Sequence, residues 1–256
     1  IVDRESLTPS VACGDRSVAS EGGMTYEMGY WNIRGLAAPL RMMSAYAGVP
    51  IKEQQYDLEA QEGGGWAAPT WFASAKPALQ EKNAMINLPY VVDEASGLVI
   101  TQSTACYTYL GRKFGLMGST DEQTARVEQT LAQAFDLRND LMKVVYPFTG
   151  VTPETYPAEA AKHLSKTANG HFSKFEGFLC DQYSAGAAPT AGDFHLWEML
   201  DQHVMMAAAL SLPSPLESFP KLAALHKALR ELPQLQEYFE GPNYKLPCNN
   251  KMANFK

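Results

Sequence analysis

The chain has 256 residues, 46% of them hydrophobic, and 21 Lys and Arg against 28 Asp and Glu give it a formal net charge of −7. That length and apolar content allow one large domain or two modest ones, while the acidic balance, without a basic run or an aromatic-interleaved basic stripe, argues against a nucleic-acid partner. The longest mostly apolar stretch, Val204 to Leu212, is too short for a membrane span.

Read in chain order, a short apolar strand begins at Tyr26 and ends near Trp31, and Pro39 to Ala47 follows as a helix with Leu40, Met43 and Ala47 on one face. Gly48 supplies its stop, with Pro50 just beyond. Ile51 to Tyr56 alternates as a strand does. Glu59 to Gln80, with Gly63-Gly64-Gly65 and the prolines Pro69 and Pro77, reads as a long irregular connection holding one short helix. Leu88 to Asp93 and Leu98 to Thr101 form a hairpin across Glu94-Ala95-Ser96-Gly97, after which Ser103 caps a helix that ends around Phe114 and Gly115. Strand, helix, strand, irregular stretch, hairpin and helix is the order of a thioredoxin-like α/β domain.

From Asp121 the pattern changes to long helical periodicity. Helices are expected over Thr124 to Val145, Glu159 to Gln182, Asp193 to Leu210 and Lys221 to Leu232, with a short turn around Gln234 to Phe239. The fold class is therefore an α/β thioredoxin-like domain followed by an all-α helical domain. Its divisions are an extension at residues 1–23, the first domain at 24–115, a small polar link at Gly118-Ser119-Thr120, and the second domain at 121–256. Thr190 and Asp193 have capping-box spacing, which marks a helix start and nothing more.

Cys13, Cys106, Cys180 and Cys248 form no CxxC pair and read as reduced thiols. His163, His171, His195, His203 and His226 have no histidine partner at helical ligand spacing, so no metal site is expected and they read as surface or satisfied core residues.

The run Met28-Gly29-Tyr30-Trp31-Asn32-Ile33-Arg34-Gly35-Leu36-Ala37 puts a tyrosine hydroxyl where the first strand gives way to a helix. An ordinary thiol is mostly protonated at neutral pH, and a donor aimed at the sulfur favours the thiolate. A neutral phenol serves without ionising. The absence of cysteine after the strand argues against disulfide exchange. Arg34 and Arg41 read as structural, their forks tying the helix start to backbone or carboxylates. Leu88-Pro89 implies a tight turn before a strand, and Gln102-Ser103 stands where free amides and the helix dipole favour a carboxylate.

With Asn87-Leu88-Pro89-Tyr90 and Thr101-Gln102-Ser103, that opening run closely resembles the mu-class glutathione transferases, from about Met24 to Lys256. The resemblance implies conjugation of the glutathione thiolate to small hydrophobic electrophiles, with glutathione as co-substrate and no other cofactor. It makes Tyr30 the thiolate-stabilising catalytic residue. It assigns Trp31, Leu36, Trp71, Lys76, Asn87, Leu88, Pro89, Gln102 and Ser103 to the glutathione site, together with Asp136 reaching in from a neighbouring subunit of a homodimer. Tyr146, Asn249 and Asn250 fall in the electrophile pocket.

There are departures from the family pattern. Ala68 stands where the family usually has an arginine, and Lys76 lies one residue further from Trp71 than its counterpart. Met85 replaces an aromatic key at the dimer contact, Thr108 replaces an arginine near the two-fold axis, and Asn249 and Asn250 make the pocket more polar. The alternative reading is a transferase-fold accessory subunit of a larger assembly with an idle or ligand-only site, docked through residues 1–23. The chain opens on Ile1, and Met24 stands where mu-class proteins begin. A soluble intracellular protein is expected, organellar after transit-peptide removal, with the cytoplasm as the alternative.

Overall fold

The computed structural model describes residues 25–256. The extension read at residues 1–23 lies outside them. The first strand, β1 (Tyr26–Trp31), pairs in parallel with β2 (Ile51–Tyr56), from Tyr26 opposite Ile51 to Trp31 opposite Tyr56. Its other edge runs antiparallel to β5 (Tyr90–Asp93), which pairs in turn with β6 (Leu98–Thr101), giving the order β2-β1-β5-β6. Gly29 makes that arrangement possible. A methyl group built there would lie 2.0 Å from Cε1 of Tyr90, the residue opposite it, so only glycine lets the Tyr90 ring cross the strand.

Between β1 and β2 runs α1 (Ala38–Ala47), opened by Pro39 and closed by Gly48 in the left-handed conformation. The long connection is more ordered than its composition suggests. It contains the two-residue strands β3 (Glu59–Ala60) and β4 (Trp66–Ala67), then a wide turn at Thr70–Ala75 that runs into α2 (Lys76–Gln80). After β6 comes α3 (Ser103–Lys113), which packs against α1.

The helical half begins with α4 (Asp121–Val145), three residues earlier than periodicity alone places it. Thr120 accepts from the Gln123 amide, and Asp121 and Glu122 fill the first turn, so capping and dipole terms extend the helix beyond its apolar stripe. One rod follows: α5 (Tyr156–Lys162), a wide turn at His163–Ala168 and α6 (Asn169–Phe178), shorter at its end than expected. The central helix is α7 (Ala191–Ala209), buried along most of its length, followed by α8 (Pro220–Arg230), a tight turn at Pro233–Leu235 and α9 (Gln236–Glu240). The Thr190–Asp193 capping box forms, and the second carboxylate oxygen of Asp193 accepts from the Ser184 amide at 2.8 Å, anchoring the preceding loop.

A continuous apolar core runs from Tyr26, Met28 and Leu40 of the sheet half to Leu131, Phe194 and Trp197 of the helical half. Arg34 spans the same junction. It is 1% exposed, its Nη2 donates to Glu198 Oε2 at 2.7 Å and Asp201 Oδ2 at 2.6 Å, and the Tyr244 ring lies 4.6 Å from its guanidinium carbon. Arg41 pairs with Glu53 and donates to the Ile33 carbonyl at 2.8 Å. The Arg34 fork thus ties the helix start to carboxylates, and the Arg41 fork ties it to a carboxylate and to backbone.

His163, His171, His203 and His226 have hydrogen-bond partners, as expected of satisfied residues, but His195 departs from that expectation. His163 and His203 are buried with their Nε2 atoms 3.0 Å apart, and His195 is fully buried with neither ring nitrogen hydrogen-bonded among the described residues. Burial pushes His195 down to about 3, so it stays neutral in the fold while the unfolded chain takes up a proton below about pH 6.5. The unfolded state then binds more protons, so stability is lost as pH falls. His195→Leu removes that loss: its stability relative to the parent is expected to rise by about 2 kcal/mol between pH 7 and pH 5, measured by urea unfolding. A difference that does not change with pH would contradict this.

Candidate functional site

Where the two halves meet, a cavity of about 520 Å³ opens. The end of β1 contributes Tyr30 and Trp31, and the following loop Ile33 and Gly35. Leu58, Trp66 and Phe72 come from the long connection, and Arg138, Met142 and Tyr146 from one face of α4 and its end. Met199 and Gln202 come from α7, and Asn249, Asn250 and Met252 from the C-terminal tail. That tail is pinned by the Arg34 amide donating to the Pro247 carbonyl at 2.8 Å, the Gly35 amide to Cys248 at 3.1 Å, and Lys251 Nζ to Leu58 at 2.8 Å.

Tyr30 is 4% exposed, and its hydroxyl has no hydrogen-bond partner among the described residues. It lies across Gly35: a methyl group there would sit 2.8 Å from Oη and 2.9 Å from Cε1 of Tyr30, and Gly35 has φ +40. The glycine thus clears the space in which the phenol sits. Tyr146, just past α4, accepts from the Asn250 amide at 2.9 Å, which leaves its own proton free to be donated. Burial pushes that phenol up to about 12, so it is neutral at physiological pH.

A second group forms around the start of α3. The Leu88–Pro89 bond is cis. Thr101 Oγ1 accepts from the Asn87 amide at 3.0 Å and donates to the Asn87 carbonyl at 2.8 Å, locking that turn to the residue before Gln102. The Leu88 amide donates to Asn87 Oδ1 at 3.0 Å. Ser103 does not cap the helix. It is the first helical residue and is buried, while Gln102 occupies the cap position at φ 71 and makes no side-chain cap bond. First-turn amides with no side-chain cap are a ready anion site, and a non-glycine residue in the left-handed region is strain of the kind held at functional sites.

The remaining residues singled out in the sequence are dispersed. Leu36 is buried, and its carbonyl accepts from Tyr107 Oη at 2.8 Å. Trp71 is fully buried, stacked on Tyr90 and tilted against Tyr56, and its Nε1 has no partner among the described residues. Lys76 Nζ lies 5.7 Å from the centre of the exposed Phe72 ring. Asp136 does not face the cavity with Tyr30. It lines a separate one of about 290 Å³ with Gln129, Gln133, Lys174, Phe175 and Phe178.

Arg138, Met142 and Gln202 are among the cavity residues that escaped the sequence reading. Arg138 and Met142 precede Tyr146 at helical spacing, so the face carrying Tyr146 could have revealed them. Gln202 sits in a helix whose polar residues, Glu198 and Asp201 among them, are buried, and no periodicity separates it from the core.

Family models match both halves: glutathione S-transferase, N-terminal domain over residues 26–112, and glutathione S-transferase, C-terminal domain over residues 135–242. The chain is 31% identical over 234 residues to a class-mu 26 kDa glutathione S-transferase of Fasciola hepatica, covering 91% of this chain and 96% of that one. It is 32% identical over 237 residues to glutathione S-transferase Mu 1 of Oryctolagus cuniculus, covering 90% and 98%. Among solved structures, the glutathione S-transferase Blo t 8 superposes with a TM-score of 0.72 at 26% identity, over 90% of this chain and 99% of that one. The chain belongs to the glutathione S-transferase family, with the thioredoxin-like and helical halves of that fold, and mu-class members are among its relatives.

Proposed function

We propose that this protein conjugates glutathione to small electrophiles, with Tyr30 donating a hydrogen bond to the glutathione sulfur. The observation that carries the reading is the Tyr30 hydroxyl, held over Gly35, without a hydrogen-bond partner among the described residues and lining a cavity between the two halves. The donor holds the sulfur as thiolate, which attacks the electrophilic carbon; a carbon–sulfur bond forms as the leaving group departs with its electron pair. Tyr146 and Arg138 supply donors on the far side, where negative charge develops, and Leu58, Phe72, Met142 and Met252 supply the apolar wall.

In this reading the first-turn amides of α3 with Gln102 and Ser103 take the γ-glutamyl carboxylate, and the turn at Asn87, Leu88 and Pro89 presents its backbone to the cysteinyl part. Trp71 and Lys76 serve the glycine end, and Trp31 and Leu36 shape the floor. Asp136, exposed and lining the same cavity as Phe175 and Phe178, reaches the site of a second copy, with exposed Met85 as part of the contact. We place the division between the halves at residues 24–115 and 121–256. Among the described residues no helix is long and apolar enough to cross a membrane.

Calorimetry with glutathione tests the reading. Binding is expected in the millimolar range or tighter, and replacing Gln102 and Ser103 by alanine is expected to weaken affinity more than turnover at saturation. An unmodified chain that binds no glutathione at millimolar concentration would remove the proposed function altogether.

A further inference from the structure

Among the described residues, the cavity beside Tyr30 is lined by one side chain that is charged at neutral pH, Arg138, and by no aspartate or glutamate. Every other described arginine has an occupied guanidinium. Arg34 and Arg41 pair with carboxylates, Arg112 lies 4.0 Å from Glu128, Arg126 Nε donates to the Ser184 carbonyl at 2.6 Å, and Arg230 lies over the rings of Phe239 and Tyr244. Arg138 has no hydrogen bond, ion pair or ring contact among the described residues. It is half-buried, and its nitrogens are not sealed in the packing as Arg34 Nε is, so its fork is open to a molecule in the cavity. Met142 and Tyr146 follow it on the same face of α4 and line the same cavity, which aims that face at the site. Burial raises the Tyr146 phenol, and Arg138 works on it in the opposite direction, so the positive charge is felt at that wall.

A half-buried guanidinium without a counter-charge has lost water and gained nothing for it, and a planar carboxylate is the group its fork fits best. In the glutathione-conjugating reading both carboxylates of glutathione lie elsewhere, one at the first turn of α3 and one beside Trp71 and Lys76, so Arg138 is left for the second substrate. We infer that the cavity selects electrophiles that carry a carboxylate on a flat apolar body, the carboxylate accepting from the Arg138 fork while Leu58, Met142, Met199 and Met252 pack the body. The inference rests on that reading and adds the substrate class to it. A neutral nitroarene meets the same guanidinium only as charge develops. A carboxylate is charged before and after the sulfur attacks, so its pairing strengthens ground state and transition state alike, and its mark is a lowered KM.

The test uses three aryl chlorides that undergo one reaction, in which the glutathione thiolate forms a carbon–sulfur bond and chloride leaves with the bonding electron pair. They are chlorodinitrobenzene, para-chloro-meta-nitrobenzoate and para-chloro-meta-nitrobenzamide. The last two are nearly isosteric and differ in charge. With each rate divided by its uncatalysed rate, the expected kcat/KM advantage of the benzoate over the benzamide is on the order of tenfold to a hundredfold, most of it in KM. Arg138→Met is expected to bring that ratio to one or below, and Arg138→Lys, which keeps the charge and loses the fork, to an intermediate value. Equal treatment of benzoate and benzamide by the parent protein, with chlorodinitrobenzene conjugated, would overturn the inference and leave the proposed function standing. A ratio that survives Arg138→Met while all three rates fall alike would assign the guanidinium to the sulfur and also overturn it. Failure on all three chlorides would overturn the proposed function, and the inference with it. Should Arg138→Met not fold, the ratio in the parent protein and in Arg138→Lys decides the matter without it.

Discussion

Tyr30→Phe is expected to lower the rate of chlorodinitrobenzene conjugation by about a hundredfold or more while leaving the fold and glutathione affinity nearly intact. The substitution removes one oxygen. That oxygen has no hydrogen-bond partner among the described residues, so its loss orphans nothing in the fold, and the phenyl ring keeps the packing of the buried Tyr30 against Ile33 and Gly35. Only an anion placed in the cavity loses a donor. The effect should therefore appear in the thiol: ultraviolet titration of bound glutathione is expected to show the thiolate forming at lower pH in the parent than in the variant. The direction follows from which form the donor favours, since a bond to the charged state makes that state easier to reach. An unchanged rate with an unchanged titration would remove Tyr30 from the reaction. A lost rate with an unchanged titration would show that Tyr30 acts on something other than the thiol.

What the sequence made legible was mostly local. The strand from Tyr26 to Trp31, the stop at Gly48 and the hairpin around Gly97 rest on short-range signals, turn residues and period, and they appear where read. Misplaced boundaries came from terms that compete with the apolar stripe, as at α4, where Thr120 and two acidic residues start the helix before its first core residue. The cap at Ser103 failed for a different reason. A serine at a helix start is a good N-cap by type, but here the chain enters α3 through Gln102 at φ 71, which makes Ser103 the first residue of the helix and removes the side chain from the capping position. The cavity was half legible. Tyr30, Tyr146, Asn249 and Asn250 belong to recognisable stretches, whereas Gln202 is held by Glu198, whose ion pair with Arg34 joins residues far apart in sequence. His195 likewise owes its neutrality to complete burial that no spacing rule reveals.

Arg34→Met is expected to cost about 3 to 5 kcal/mol of stability at neutral pH, because it strands buried carboxylates. Burial works against the charge of Arg34, but Glu198 and Asp201 outweigh it and hold the guanidinium protonated. Without it the two partners fare differently. Asp201 retains His226 at 3.1 Å and Tyr244 at 3.3 Å, whereas Glu198, fully buried, retains among the described residues only Gln202. Burial already holds the Glu198 carboxyl above its usual range, with Arg34 the chief opposing influence, so removing the arginine raises it further. A carboxyl whose folded value is raised binds its proton earlier in the fold than in the unfolded chain, so stability attached to it is regained as pH falls. The deficit of Arg34→Met against the parent is therefore expected to be larger at pH 8 than at pH 5.5, read from urea midpoints, and Glu198→Gln in the same background should recover part of it at pH 8. A variant as stable as the parent at both pH values would mean that the two halves are held by their apolar core alone, and that the arginine merely neutralises charges which would otherwise stay protonated.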